Sequence, residues 1–369
     1  MHKDEIIKVK APGKLYLAGE YAVVSPFNPA LVFAVNAFID ISVRYTKEKK
    51  IFDSSTKSVY SWSINSNNEV KISKDENNNL ELTAAAMTVS LNYLREGFPE
   101  LLNNTNFTIY ISSDLENTDG TKYGYGSSGA ATVAACRAIL KLYELDKHLD
   151  PQSFNILTFK LACISQTRLN KLGSFGDLAA SSISGLVHYQ NFDRKILKNS
   201  NVRELRNISA VVNKSWPGLE LNRIALPQPW RLNIVWSKQA ISTEKLLKNK
   251  GKAISPELEA QFLAKSKEEV LVVLNAIQTG DWPKFKFYLE QNQKSIIKYL
   301  ALQERPYIMP TFKKAKTIAD KYGAAFKISG AGAGDCAIAI SEDKESADKL
   351  KFAWQEAGLT VLEHKLWER

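Results

Sequence analysis

Residues 122–131 read KYGYGSSGAA and pass without a break into TVAACRAILKLYEL. A plain linker would be flexible at both ends, whereas this stretch has glycines at its front and regular apolar spacing behind. Ala135, Cys136, Ile139, Leu140 and Tyr143 recur at helical intervals, and Arg137, Lys141 and Glu144 fall on the other face, which predicts a helix. A helix start leaves backbone N–H groups unpaired and carries partial positive charge. Glycines ahead of it let an anion approach the backbone, as phosphates do at such sites. Gly124, Gly126 and Gly129 supply that room, Ser127 and Ser128 offer hydroxyls to a phosphate, a helix cap or a magnesium ion, and Lys122 can reach a terminal phosphate. An ordinary serine-capped helix after a glycine loop is an equal reading of the stretch taken alone. The Gly-Lys-Ser/Thr ending of a Walker loop is missing.

Two further glycine-bearing stretches lie far away in sequence. KAPGKLYLAGEYAVV, 10–24, presents Lys14 after Pro12-Gly13, read as a turn between two strands over residues 6–18; a lysine there is usually a solvent-facing charge. SGAGAGDC, 329–336, sits between two strand patterns, AAFKIS and DCAIAIS. It is a hairpin with several left-handed positions or a backbone that meets a ligand or the first glycine loop. Elsewhere residues 38–45 and 60–64 alternate as strands, the latter ending at a hairpin tip at Asn67-Asn68. Helical patterns cover 80–96, 153–170, 256–279, 283–302, 310–322 and 343–357, and DENNN at 75–79 reads as a surface loop. The proline-bearing stretch SWPGLELNRIALPQPW suggests a junction, which divides the chain into 1–210 and 211–369, each an α+β layer.

Bulk composition narrows the class. A chain of 369 residues, 44% hydrophobic and 24% charged, is ordinary for a globular protein of two domains. The net charge of +10 allows anionic partners, yet its lysines and arginines are scattered through helix-like stretches such as FKKAKTIADKY, with no arginine-aromatic patch. Neither nucleic acid nor membrane is therefore the expected partner; a small molecule is. Cys136, Cys163 and Cys336 fit no zinc spacing and lie among apolar neighbours, as buried thiols of a reducing, cytoplasmic setting do. MHKDEIIKVK has no apolar signal core, and no apolar run approaches the roughly 20 residues of a spanning helix.

Together the three stretches, in this order and at this separation, resemble the GHMP kinases, the family of galactokinase, homoserine, mevalonate and phosphomevalonate kinases. The likeness spans the chain, with anchors near residues 14, 126, 177 and 332. GKLYLAGEYAVV, with Tyr21 where a histidine is usual in mevalonate kinases, KYGYGSSGAATVA, GSFGDLAAS at 173–181 and WSKQAIST at 236–243 are most similar to the branch acting on 5-phosphomevalonate. Tyr125 departs from the family's leucine and Ala333 from a common glycine; Tyr125 is expected to place its side chain beside the phosphates and alter fit more than chemistry.

The resemblance implies an α+β, two-domain architecture, with a ribosomal-protein-S5-like N-terminal domain and a ferredoxin-like C-terminal domain around a cleft. It implies transfer from ATP, with Mg2+, to (R)-5-phosphomevalonate, on a path to isoprenoids, by a monomer or homodimer; mevalonate or another small-molecule acceptor of the family is the alternative, and a nucleic-acid-binding protein of S5-like fold, which the net charge of +10 allows, a remote one. By the same likeness Gly124, Tyr125, Gly126, Ser127, Ser128, Gly129, Ala130, Gly330 and Gly332 would hold the nucleotide, with Ser128 on the metal and the metal's second protein ligand unmatched. Lys14, Asp177 and Lys122 would act at the transferred phosphate, and Lys14, Tyr21, Arg168, Lys171 and Ser174 would face the acceptor. Without the family, Asp177 is as readily a helix cap or turn residue, and Arg168 a solvent-facing charge. Glu20 is expected to be structural, bound to backbone or to a lysine in its turn.

Overall fold

The computed structural model describes residues 5–73, 80–117, 119–171, 173–239 and 251–368. The loop expected at 75–79 and much of the WSKQAIST stretch lie outside them. The first sheet is built from β1 (Ile7–Ala18), β2 (Pro29–Tyr45), β3 (Lys50–Asp53), β4 (Ser58–Ile64), β5 (Val70–Ile72), β6 (Phe107–Ser113), β7 (Leu186–Gln190) and β8 (Glu220–Ile224). Its order is β5-β4-β3-β6-β2-β7-β8, with β1 paired to β2, and only β3–β6 is parallel. β2 organises it: Ala30 to Val35 are all fully buried, as a strand covered on both faces must be. The expected Pro12-Gly13 turn is instead a register shift inside one continuous strand, because β1 keeps pairing with β2 on both sides of it.

Against this sheet lie α1 (Glu81–Gly97), α2 (Ser127–Leu142), α3 (Pro151–Arg168) and α4 (Gly176–Ile183), followed by the short α5 (Lys195–Lys198) and α6 (Ile208–Asn213). α2 is central, and its run of small residues, Ala134, Ala135 and Ala138, lets it approach β1 and β2. Consequently Arg137, expected on a polar face, is 1% exposed. It survives burial by donating to the carbonyls of Lys10 and Ser182 and to Asn155. α3 begins where Asp150 caps the amides of Gln152 and Ser153 ahead of Pro151 at the first helical position.

The second sheet holds β9 (Arg231–Trp236), β10 (Ala325–Ile328), β11 (Cys336–Ser341) and β12 (Thr360–Leu362), in the antiparallel order β10-β11-β9-β12. With α7 (Pro256–Thr279), α8 (Trp282–Leu302), α9 (Pro310–Lys321) and α10 (Lys344–Glu356), this is the ferredoxin-like arrangement of strands and crossovers. The sheets part between Ile224 and Arg231, later than the boundary drawn at 210. Alternation then sets the second sheet's two faces: Ile234, Trp236, Ile338 and Ile340 join the core of the first layer, while Val235, Ala337 and Ala339 face Phe262, Phe312 and Trp354. All three cysteines are buried free thiols, and among the described residues no helix is long and apolar enough to cross a membrane.

Candidate active site

Each glycine stretch delivers a group to one point. Lys14 leaves the bulged part of β1, where its backbone N–H donates to the Tyr125 carbonyl at 2.8 Å and its ammonium Nζ to the Gly124 carbonyl at 3.4 Å. The chain then turns at Gly126, the left-handed residue before α2. A Cβ at Gly126 would lie 3.0 Å from Lys14 Cε and 3.4 Å from Asp177 Cβ, and one at Gly129 would collide with the Asp177 carboxylate. These two positions are bare because a lysine and an aspartate pack directly onto the start of α2. From the third stretch, Gly330 comes within 3.9 Å of Lys14 Nζ, measured from where its Cβ would stand.

Two helix starts meet there. Asp177 occupies the first turn of α4 and its carboxylate lies against the first turn of α2. Among the described residues the N–H groups of Ser127 and Ser128 have no partner, as expected of the first amides of a helix, and Ser128 is exposed while its carbonyl accepts from Thr132. Burial raises the Asp177 carboxyl above the usual aspartate range; Lys14 and the α4 amides pull it back. The site thus pairs one cation with one partly dehydrated carboxylate beside free backbone donors, a set suited to an anion whose charge shifts during reaction.

Around this centre the acceptor candidates divide. Ser174 shares a 2.6 Å hydrogen bond with Tyr16, which stands two residues along β1 from Lys14, and accepts from the Gly176 amide. Tyr21 donates to the Ala331 carbonyl at 2.5 Å under the Arg305 guanidinium, and burial pushes its hydroxyl up to about 12. Arg168 is neither solvent-facing nor uncommitted: it binds Glu69 at 2.9 Å and the Arg203 carbonyl. Lys171 binds Glu81 at 2.9 Å. To reach a ligand phosphate both would have to exchange a carboxylate for it. Lys122 is exposed with its backbone bridged to Glu116, and among the described residues its ammonium touches none of the central groups.

Two expectations need correction, for Tyr125 and for the partner of Glu20. The Tyr125 side chain does not lie beside the loop's open face; it is 1% exposed and points away, its hydroxyl 3.0 Å from His364 Nδ1, because the loop is packed on an aromatic floor. At Gly332 the Tyr307 ring lies where a Cβ would stand. Glu20 is structural and accepts from a backbone amide, that of Gly330, as expected, but its lysine is not one of the turn: it meets Lys327 of β10 at 2.5 Å, both groups buried. Lys327 had a signal, a single charge inside an apolar strand, and Tyr16 had one too, its shared strand face with Lys14. His364 had none, since nothing local ties it to residue 125.

The descriptions of two family models match this chain, GHMP kinases N terminal domain over residues 84–185 and GHMP kinases C terminal over residues 273–359. A phosphomevalonate kinase of Streptomyces sp. (strain CL190) is 28% identical over 367 residues, 95% of each chain. Among solved structures, the Lin0012 protein of Listeria innocua aligns with a TM-score of 0.88 at 28% identity, over 99% of this chain and 98% of that one. The Streptococcus pneumoniae phosphomevalonate kinase, in complex with phosphomevalonate and AMPPNP, aligns with a TM-score of 0.82 at 27% identity, over 97% of this chain and 99% of that one. The two matched models fall in the two layers, and the three glycine stretches meet between them: this chain belongs to the GHMP kinase family.

Proposed function

We propose that this protein transfers the γ-phosphoryl group of ATP to the phosphate of (R)-5-phosphomevalonate, giving ADP and 5-diphosphomevalonate. The observation that carries the reading is the packing of Lys14 and Asp177 onto Gly126 and Gly129 at the start of α2. The likeness to a phosphomevalonate kinase solved with phosphomevalonate and AMPPNP supports the choice of acceptor. In this reading the N–H groups and hydroxyls of Ser127 and Ser128 bind the ATP phosphates, with the flanking Gly124, Ala130 and Gly330 backbone close by. A bond forms between an acceptor phosphate oxygen and the γ-phosphorus as the bond to the bridging oxygen of ADP breaks. Such transfers ask mainly for alignment and charge neutralisation. Lys14 screens the two approaching phosphates, and Asp177 holds Lys14 in place. A phosphate monoester has its second pKa near 6 and is largely dianionic at neutral pH, so little proton removal is left for Asp177.

Magnesium fits this site in a particular way. Among the described residues no cluster of three His, Cys, Asp or Glu side chains could cage an ion. The first turn of α2 offers the exposed Ser128 hydroxyl, with the Asp177 carboxylate beside it, which suits a hard cation held mostly by phosphates and water. When bound, the ion would neutralise the β- and γ-phosphate oxygens. Ser174, Tyr21 and Tyr16 would border the acceptor; Lys122, Arg168 and Lys171 are cations that would act there only after moving from their present positions. A coupled ADP-release assay with mevalonate, 5-phosphomevalonate, homoserine and galactose tests the assignment. Turnover confined to 5-phosphomevalonate is expected; preference for mevalonate would overturn the acceptor and spare the fold.

A further inference from the structure

The aromatic floor beneath the glycine loop is built from the loop itself, the end of β9 and the C-terminal segment. Tyr125, between Gly124 and Gly126, holds its hydroxyl 3.0 Å from His364 Nδ1, with the two rings edge-on at 5.3 Å. Tyr123 closes the group, 5.4 Å from each of those rings and 5.0 Å from Trp236 at the end of β9. Room for Tyr125 is made at the bulge in β1, where a Cβ on Gly13 would come 2.8 Å from the Tyr125 Cβ. His364 in turn belongs to a segment after β12 that returns to the first sheet. There Lys365 exchanges hydrogen bonds with Asn36, Trp367 donates to the Ala34 carbonyl, and Gly185 donates to the Trp367 carbonyl. Ala34 is the cross-strand partner of Lys14.

We infer that His364 is a positioning residue for the ATP-phosphate loop, acting through Tyr125. The inference rests on the phosphate-binding reading of that loop. One residue, Tyr125, receives the Lys14 backbone N–H on its carbonyl and is gripped by His364 through its side chain. The same C-terminal segment grips the strand opposite Lys14. Loop and lysine are thereby referenced to a common frame, so the grip sets the distance between the α2 amides and the Lys14 ammonium. Releasing it leaves every group present but lets the loop wander, which a transfer dependent on alignment does not tolerate.

The test compares Tyr125→Phe, His364→Leu, His364→Gln and the double variant Tyr125→Phe/His364→Leu. Each is measured for AMPPNP binding by calorimetry, for KM of ATP and of 5-phosphomevalonate, and for Tm. Tyr125→Phe keeps the ring and removes only the hydroxyl. The expected result is AMPPNP binding weakened about fivefold to tenfold in Tyr125→Phe and in His364→Leu, with the double variant no worse than either, the coupling of groups in direct contact. His364→Gln, which keeps a hydrogen-bonding group, recovers most of the loss, and KM for 5-phosphomevalonate moves less than about twofold. Additive losses, equal changes in both KM values, or a lower Tm with unchanged AMPPNP binding would overturn the inference. Gly126→Ala and Ser128→Ala separate it from its premise: if these leave AMPPNP binding intact, the phosphate-loop reading has failed, whatever Tyr125 and His364 do.

Discussion

At the scale of single residues the account turns on Asp177 and its neighbours. Its carboxyl is raised by burial, so the folded protein binds a proton there more readily than the unfolded chain does. Stability contributed by that group therefore falls as pH rises through the interval between the ordinary aspartate value and the raised one. Asp177→Asn removes the buried charge, so the variant is expected to be more stable than the parent at neutral pH and to lose that advantage on acidification below the interval. Urea midpoints across pH check this; an advantage constant with pH would contradict it. Activity moves the other way. Removing either Lys14 or Asp177 costs about 10² or more in kcat, the scale of deleting a preorganised electrostatic group. If Asp177→Asn is dead while Asp177→Glu retains a steep basic limb, holding Lys14 is not a sufficient role. Gly129→Ala, which drives a methyl into that carboxylate, is expected to lose both turnover and about 1–3 kcal/mol of stability, read by kinetics and denaturation.

Elements explain which of these groups could be read in advance. The helix after Ser128 was legible because apolar spacing and a serine-glycine start agree, and the strands around residues 40 and 60 because alternation is a one-dimensional signal. The bulge at Pro12/Gly13 was not, since Pro-Gly marks a turn and a register shift alike until the opposing strand is known. Arg137 misled for a related reason: periodicity divides a helix into faces but does not say how many are covered. Lys14, Ser128 and Asp177 could be singled out through family likeness, and Lys327 stood out as a charge in an apolar strand, whereas its pairing with Glu20 and that of His364 with Tyr125 arise from contacts across more than 200 residues. The Glu20–Lys327 pair makes its own prediction. Breaking a buried pair from one side leaves an uncompensated charge, so Lys327→Met alone should cost about 3–5 kcal/mol. Glu20→Leu/Lys327→Met together should recover most of that in urea unfolding; a double variant as unstable as the single would contradict it.

Over the whole molecule, the two layers are joined by a continuous apolar core, by the Glu20–Lys327 pair, by the Gly19 amide on Asn292 and by the C-terminal return to β2. An interface of that kind favours one rigid body over two hinged ones. A single cooperative urea transition is expected by fluorescence and circular dichroism alike, and separate midpoints would argue for independent layers. Ending the chain after Leu362 removes the hydrogen bonds to Asn36, Ala34 and Gly185 and the Phe38–Trp367 edge contact, and is expected to lower stability by about 3 kcal/mol or more. The central claim is geometric: three stretches distant in sequence make one phosphate-transfer centre between those layers. A crystal structure with AMPPNP and 5-phosphomevalonate tests it most directly. The account predicts the terminal phosphorus between Lys14 and the Ser127–Ser128 amides, in line with the acceptor phosphate and beside Asp177. A triphosphate lying away from the start of α2, or an acceptor whose phosphate points out of the cleft, would contradict it.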